Sequence, residues 1–401
     1  MDIVHDLTAS EIIALGEAHI AKTYKRPPIV LSHGRGVQVW DTEGREYLDF
    51  AAGIAVNALG HADAGIAAIL AEQAAKLIHT SNLYYTLPQI KLAEKLTAHS
   101  FADRVFFTNS GTEANEAAIK FARKYARATY NTAEKTQVVC FDHAFHGRTM
   151  GSLALTPKEA YQAPFRPLMP DVLVLPFNDQ MALEQITERV CAVFVEPIQG
   201  EGGIHEATAE FLRALRARCD QVGALLVFDE VQCGLGRTGD LWAHTASGVQ
   251  PDMMTLAKPL AGGLPIGALL ATERVASALT YGDHGSTFAG SPLITAVANY
   301  VFDRINNPEF LAHVKRVGSY LKARLMAIQS PKIKEVRGRG LMLGVEFTSD
   351  LAASVVEQGY AHGLLLVGSG TSVLRVIPPL IVTERECDLF VERLTAILAK
   401  L

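Results

Sequence analysis

Short apolar runs alternate with longer stretches of helical periodicity through the middle of the chain. Arg104-Val-Phe-Phe-Thr108, Gln137-Val-Val-Cys-Phe141, Ala192-Val-Phe-Val195 and Ala224-Leu-Leu-Val-Phe228 are too short for helices and are apolar nearly throughout. Such runs read as strands covered on both faces. With helical segments between them they predict βαβ units and an α/β fold with a mostly parallel sheet, in a large domain over 66–290. Before it, Gly36-Val-Gln-Val-Trp-Asp41 and Gly44-Arg-Glu-Tyr-Leu-Asp49 alternate faces as a hairpin does. After it, a helix beginning near Pro292 gives way to Gly344–Phe347, Leu364–Val367 and Val373–Ile377. Segments 1–65 and 291–401 are therefore expected to join into a smaller α+β domain, with no repeat or low-complexity tract between the units. Ile12, Ile13, Leu15 and Ile20 form a stripe at helical spacing, expected to pack on the body or on a second subunit.

Composition narrows the class. The 401 residues are 49% hydrophobic and 20% charged, enough to bury a large core. Basic and acidic residues number 37 and 42 without long single-sign runs, so small molecules are expected as partners and nucleic acid is not. Cys140, Cys191, Cys219, Cys233 and Cys387 form no CxxC pair, which fits a reducing compartment without structural disulfides. The opening residues 1–8 lack a basic-then-apolar signal, and no apolar run reaches the roughly 18 residues of a membrane span. A cytoplasmic protein with no membrane contact is expected.

Chemistry concentrates in three places. The run Gly223-Ala-Leu-Leu-Val-Phe-Asp229 delivers a carboxylate at the C-terminal edge of a strand, where α/β proteins place ligands. Lys258 closes the apolar stretch Thr255-Leu-Ala and precedes glycine-rich backbone, which directs its amine into a tight cavity where loss of solvation makes it a nucleophile. Thr108-Asn-Ser110-Gly111-Thr112-Glu113 opens an alanine-rich helix whose free N–H groups and dipole favour phosphate. Each has a plainer alternative: Asp229 as a helix cap, Lys258 as a surface residue, Ser110 and Glu113 as a capping box. A Schiff-base lysine, a carboxylate for a pyridinium nitrogen and a phosphate anchor are together what pyridoxal 5′-phosphate (PLP) requires.

These segments carry a family resemblance. Asn109-Ser-Gly-Thr-Glu-Ala-Asn-Glu-Ala-Ala118, Phe145-His-Gly-Arg-Thr149, Val195-Glu-Pro-Ile-Gln-Gly-Glu-Gly-Gly203, Phe228-Asp-Glu-Val-Gln232 with Gly236-Arg-Thr-Gly239, and Leu256-Ala-Lys258 resemble the successive signatures of class III, fold type I aminotransferases. Gly53–His61, Ser81–Tyr85, Arg337–Gly344 and Leu374–Pro379 are similar to the branch acting on acylated ornithine. The resemblance implies PLP fold type I and transfer of the distal amine of N-acetylornithine to 2-oxoglutarate in arginine biosynthesis, with N-succinyl-diaminopimelate as a further donor. Ornithine, succinylornithine, acetyl-lysine and 4-aminobutyrate stay open as donors, as does a PLP isomerase or decarboxylase of the same fold.

By the same resemblance Ser110, Gly111 and Thr112 would hold the phosphate, with Thr287 supplied by the other subunit of a homodimer with shared sites. Phe145 and Val231 would cover the two ring faces, Asp229 would keep the ring nitrogen protonated, Gln232 would bond the ring oxygen, and Glu196 would support the Asp229 network. Lys258 would carry the cofactor and then act as base. Arg148 would bind a substrate carboxylate, and Arg375 would meet Glu201 over the same cavity. Pro259, Cys233 and Ala289-Gly-Ser291-Pro292 depart from the family pattern beside the site without removing a catalytic group. His143 and His146 have H-x-x-H spacing, but nothing completes a zinc set, so no metal is expected.

Overall fold

The computed structural model describes residues 7–401, so most of the opening stretch lies outside the described residues. Seven strands form the central sheet: Arg104–Thr108, Gly267–Ala271, Met253–Leu256, Leu225–Asp229, Val190–Val195, Gln137–Phe141 and Val172–Leu175, in that spatial order. Only Gly267–Ala271 runs antiparallel to the rest. Successive side chains leave opposite faces of a strand, and both faces here are apolar. Val138, Cys140, Ala192, Phe194, Leu225 and Val227 pack with the helix Gly111–Tyr130 on one side. Val139, Phe141, Val193, Val195, Leu226 and Phe228 pack with the helix Ala209–Val222 on the other.

That alternation aims the chemistry. Asp229 continues the parity of Leu225 and Val227, so it faces the helix Gly111–Tyr130 at the carboxyl end of its strand. The helix begins directly after Arg104–Thr108, which brings its N-terminus to the same edge.

Two four-stranded sheets complete the α/β fold. Leu31–Arg35, Gln38–Asp41 and Glu46–Asp49 are antiparallel neighbours, and Leu364–Leu365 adds in parallel to Glu46–Asp49. The second sheet has the order Ile333–Arg339, Met342–Phe347, Val373–Val376, Val367–Ser369. The expected single run Leu364–Val367 is thus split: its first half pairs with the amino-terminal hairpin, its end with the carboxyl-terminal strands. The helix Pro292–Ile305 starts at the expected residue. Ile12, Ile13 and Leu15 of the stripe lie on the helix Ala9–His19, which buries no residue on this chain, and Ile20 follows as its extended C-cap; Leu15 and Ile20 are about half exposed.

Candidate active site

A cavity of about 390 Å³ opens at the carboxyl edge of the central sheet. Ser110, Gly111, Thr112, Phe145, Arg148, Glu196, Asp229, Val231, Gln232 and Lys258 all line it. At one end is the helix start. Ser110 caps the helix, its Oγ accepting from the Glu113 amide at 3.3 Å, and Glu113 reaches back to the Asn109 amide at 2.7 Å. Ser110 is thus a helix cap, but the capping box is not closed, because Glu113 takes the Asn109 amide instead of that of Ser110; the first amides of a 20-residue helix are left for a ligand. Gly111 permits the packing: a Cβ there would lie 2.7 Å from Val231 Cγ1.

Asp229 is buried in a hydrogen-bonded network. Its Oδ2 meets His146 Nδ1 at 2.7 Å and accepts from Asn115 Nδ2 at 2.8 Å, while Oδ1 accepts from the Val231 amide at 3.0 Å. Thr255 Oγ1 donates to Asn115 Oδ1 at 2.9 Å and so fixes the amide's orientation. Burial pushes the Asp229 carboxyl up, but His146, the Val231 amide and Asn115 more than offset this and hold it below the usual carboxylate range. Burial likewise disfavours charge on His146, and Asp229 reverses that, so its pKa lies above the ordinary histidine value. Sequence spacing gave His146 no part in this network, because its partner lies 83 residues away.

Lys258 opens the 3₁₀ turn Lys258–Ala261 with φ +37°, at the end of the strand Met253–Leu256. Non-glycine residues hold such a backbone at a cost, and such strain gathers at functional sites. Burial pulls the Lys258 amine below the usual lysine value; Glu201, Asp229 and Glu196 oppose this, and Arg375 adds to it. Glu196 accepts from the Phe145 and Gly200 amides at 3.0 and 3.2 Å. Burial raises its carboxyl to about 7 against the opposing pull of His146. Val56 also reaches the cavity wall. It follows Ala52, Gly53, Ile54 and Ala55, four residues with φ between 49° and 66°, a left-handed turn whose start is capped by Asp49 Oδ1 on the Ala51 and Ala52 amides. Only Gly53 adopts this backbone without a Cβ penalty, which is why the turn was not legible.

Arg375 and Glu201 lie together. Arg375 Nη1 donates to Glu201 Oε1 at 2.7 Å and, at the limit of hydrogen bonding, to Gln232 Oε1 at 3.5 Å. Arg375 is 2% exposed, and its Nε has no partner among the described residues. Arg148 is on the cavity wall and forms no ion pair among the described residues. Thr287 is exposed and is not among the residues lining this cavity.

The residues fit PLP. A helix start with unpaired amides suits its phosphate, Phe145 and Val231 offer apolar cover for a ring, and Asp229 supplies a fixed anion deep in the cavity. The close approach of Val231 to Gly111 leaves a cradle that any side chain at 111 would fill. No group of three His, Cys, Asp or Glu suited to a metal occurs among the described residues.

Known structures share this fold. The ornithine aminotransferase from Toxoplasma gondii superimposes with a TM-score of 0.94 at 32% identity, covering 98% of this chain and 96% of that one. The N-acetylornithine aminotransferase from Stenotrophomonas maltophilia gives 0.84 at 40% identity, covering 97% and 98%. Among relatives, the mitochondrial acetylornithine aminotransferase of Alnus glutinosa is 56% identical over 95% of this chain and 86% of its own length. The acetylornithine aminotransferase of Methanocaldococcus jannaschii is 45% identical over 97% and 98%. The expectation of a cytoplasmic protein is overturned here, because the relatives from Alnus glutinosa, Yarrowia lipolytica, Neurospora crassa and Dictyostelium discoideum are all named mitochondrial. Unpaired cysteines and a balanced charge describe a reducing aqueous surrounding and do not separate one such compartment from another. The family model for class-III aminotransferases matches residues 19–398, and the chain belongs to this family of PLP-dependent aminotransferases of fold type I.

Proposed function

We propose that this enzyme transfers the distal amine of N-acetylornithine to 2-oxoglutarate, giving N-acetylglutamate 5-semialdehyde and glutamate, in arginine biosynthesis. The observation that carries the reading is the contrast between its two arginines. Among the described residues Arg148 stands without an anionic partner, ready for the single carboxylate of the donor, whereas Arg375 is neutralised by Glu201 until a second carboxylate arrives. The names of the relatives at 45–56% identity support the same donor.

Ser110, Gly111 and Thr112 would hold the cofactor phosphate, Phe145 and Val231 would cover the two ring faces, and Gln232 would hydrogen-bond the ring oxygen. Bound PLP supplies an electron-withdrawing ring that acidifies the carbon bearing the donor's amine. Asp229, held anionic by His146 and Asn115, keeps a proton on the ring nitrogen, and Glu196 supports that network. Lys258, partly desolvated and so readily neutral, carries the proton away from the substrate carbon and later returns it. Arg148 orients the donor by two parallel hydrogen bonds to its carboxylate.

The active unit in this reading is a homodimer with Thr287 completing the phosphate site of the other subunit. The loop bearing Thr287 supports it: Asn82 Nδ2 donates to the Ser286 and Ala289 carbonyls, and the joined loops expose Leu83, Tyr84, Tyr85, Tyr281 and Phe288. Exposed apolar side chains gathered on joined loops are what an interaction surface carries. Residues 1–65 and 291–401 form the smaller unit beside 66–290, as the pairing of Leu364–Leu365 with Glu46–Asp49 supports.

Ornithine is the competing donor, favoured by the TM-score of 0.94 to an ornithine aminotransferase. Backbone likeness does not fix a donor that side chains select. Rates of glutamate formation from 2-oxoglutarate with N-acetylornithine, ornithine and 4-aminobutyrate test the reading. N-Acetylornithine is expected to have the highest kcat/KM, and a preference for ornithine would overturn it.

A further inference from the structure

Arg148 is held by two different parts of the fold. Its backbone amide donates to Thr112 Oγ1 at 3.2 Å, tying its main chain to the start of the long helix. Its guanidinium carbon lies 3.5 Å from the centroid of the Tyr161 ring and 5.8 Å from that of Phe145. A centroid distance of 3.5 Å is possible only over the face of the ring, where a cation meets the negative side of the π-system. The N–H donors of a guanidinium lie in its own plane. Stacking therefore occupies the face of Arg148 and leaves its edge open, and none of its side-chain donors is paired among the described residues. A planar fork with an occupied face and a free edge receives a carboxylate through two parallel bonds.

Tyr161 is itself fixed. It lies in the short helix Glu159–Gln162, where Gln162 Nε2 donates to the Leu153 and Thr156 carbonyls, both at 3.0 Å. The Tyr161 amide donates to the Lys158 carbonyl at 2.8 Å, and Lys158 Nζ donates to the Tyr161 hydroxyl at 3.2 Å. Lys158 has no acidic partner among the described residues. Tyr161 and Glu201 line a second cavity of about 630 Å³ that shares Phe145 with the first. Tyr161 thus lines the second cavity and not the first, whose Arg148 its ring covers.

We propose that Tyr161 is a positioning residue that holds Arg148 as a preformed carboxylate fork and thereby sets the enzyme's preference for donors carrying a carboxylate beyond the reacting amine. The inference rests on the proposed role of Arg148. An unstacked arginine samples many rotamers, and each donor would have to order it on binding; the ring removes that burden before the donor arrives.

The test compares N-acetylornithine with N-acetylputrescine, the same donor lacking its carboxylate, on holoenzyme with saturating 2-oxoglutarate. Arg148→Ala is expected to abolish the preference for N-acetylornithine. Tyr161→Leu is expected to raise KM for N-acetylornithine about tenfold with kcat nearly unchanged, and to leave N-acetylputrescine unaffected. Tyr161→Phe, which keeps the ring, should behave as wild type, and Tyr161→Met repeats the comparison with a flexible chain of similar bulk. An unchanged preference in Tyr161→Leu and Tyr161→Met, beside its loss in Arg148→Ala, overturns the inference alone. Equal losses for both donors in the Tyr161 variants also overturn it. A preference that survives Arg148→Ala overturns the role of Arg148 and, with it, this inference.

Discussion

Removing the carboxylate of Glu201 should unbalance the two half-reactions in a direction fixed by the Arg375 environment. Arg375 is almost wholly buried, and its other acceptors are the Gly368 carbonyl at 3.2 Å and the distant Gln232 Oε1. Glu201 is its only ion-pair partner among the described residues. Breaking a fully buried pair costs about 3–5 kcal/mol. The Glu201 side chain is 26% exposed, so water can partly replace it, which lowers the penalty to about 2 kcal/mol, equivalent to roughly thirtyfold. In Glu201→Ala that penalty falls on the N-acetylornithine half-reaction, where nothing else neutralises Arg375. Glutamate brings a second carboxylate to the same guanidinium and escapes the penalty. Arg375→Ala should do the reverse and impair mainly glutamate and 2-oxoglutarate. Stopped-flow absorbance of each half-reaction under single-turnover conditions reads both rates. Equal losses in both halves for both variants would refute the exchange of partners at Arg375.

Two further perturbations probe the cofactor pocket. In His146→Leu the Asp229 carboxyl loses the partner that most lowers its pKa, so the pKa rises and the acid limb of the proton-transfer rate moves to higher pH; a pH profile identical to wild type would contradict this. Gly111→Ala places a Cβ 2.7 Å from Val231 Cγ1, an overpacking of about 1–3 kcal/mol that should weaken PLP binding about tenfold or more, read by equilibrium titration of apoenzyme. Unaltered affinity would show that the cradle at the helix start is not used.

Much of this architecture was legible because local pattern and tertiary role agree. Arg104–Thr108 and Gln137–Phe141 are strands at the residues expected, since short apolar runs in an α/β chain have one stable place, inside a covered sheet. Asp229 and Lys258 stood out because a charge ending an apolar run must be used or exposed. Gly267-Ala-Leu-Leu-Ala271 reads like any other buried strand, and its reversed direction comes only from pairing between Met253–Leu256 and Arg104–Thr108. His146 offered the sequence only an H-x-x-H spacing that no third ligand completes, because its hydrogen-bond partner Asp229 is remote in sequence. The left-handed turn at 52–55 defies local propensity and depends on Asp49 as a cap. Tyr161 carried no signal, since its value lies in a guanidinium thirteen positions earlier in the chain being folded onto its ring.

The central claim is that Lys258, facing the Asp229 network across one cavity, is the residue that carries PLP. Borohydride reduction of the holoenzyme fixes the cofactor to whichever amine holds it, and peptide mass mapping then locates the label. A phosphopyridoxyl group on Lys258, at one per chain, is the result predicted; a label on another lysine, or none on cofactor-saturated protein, would contradict the account.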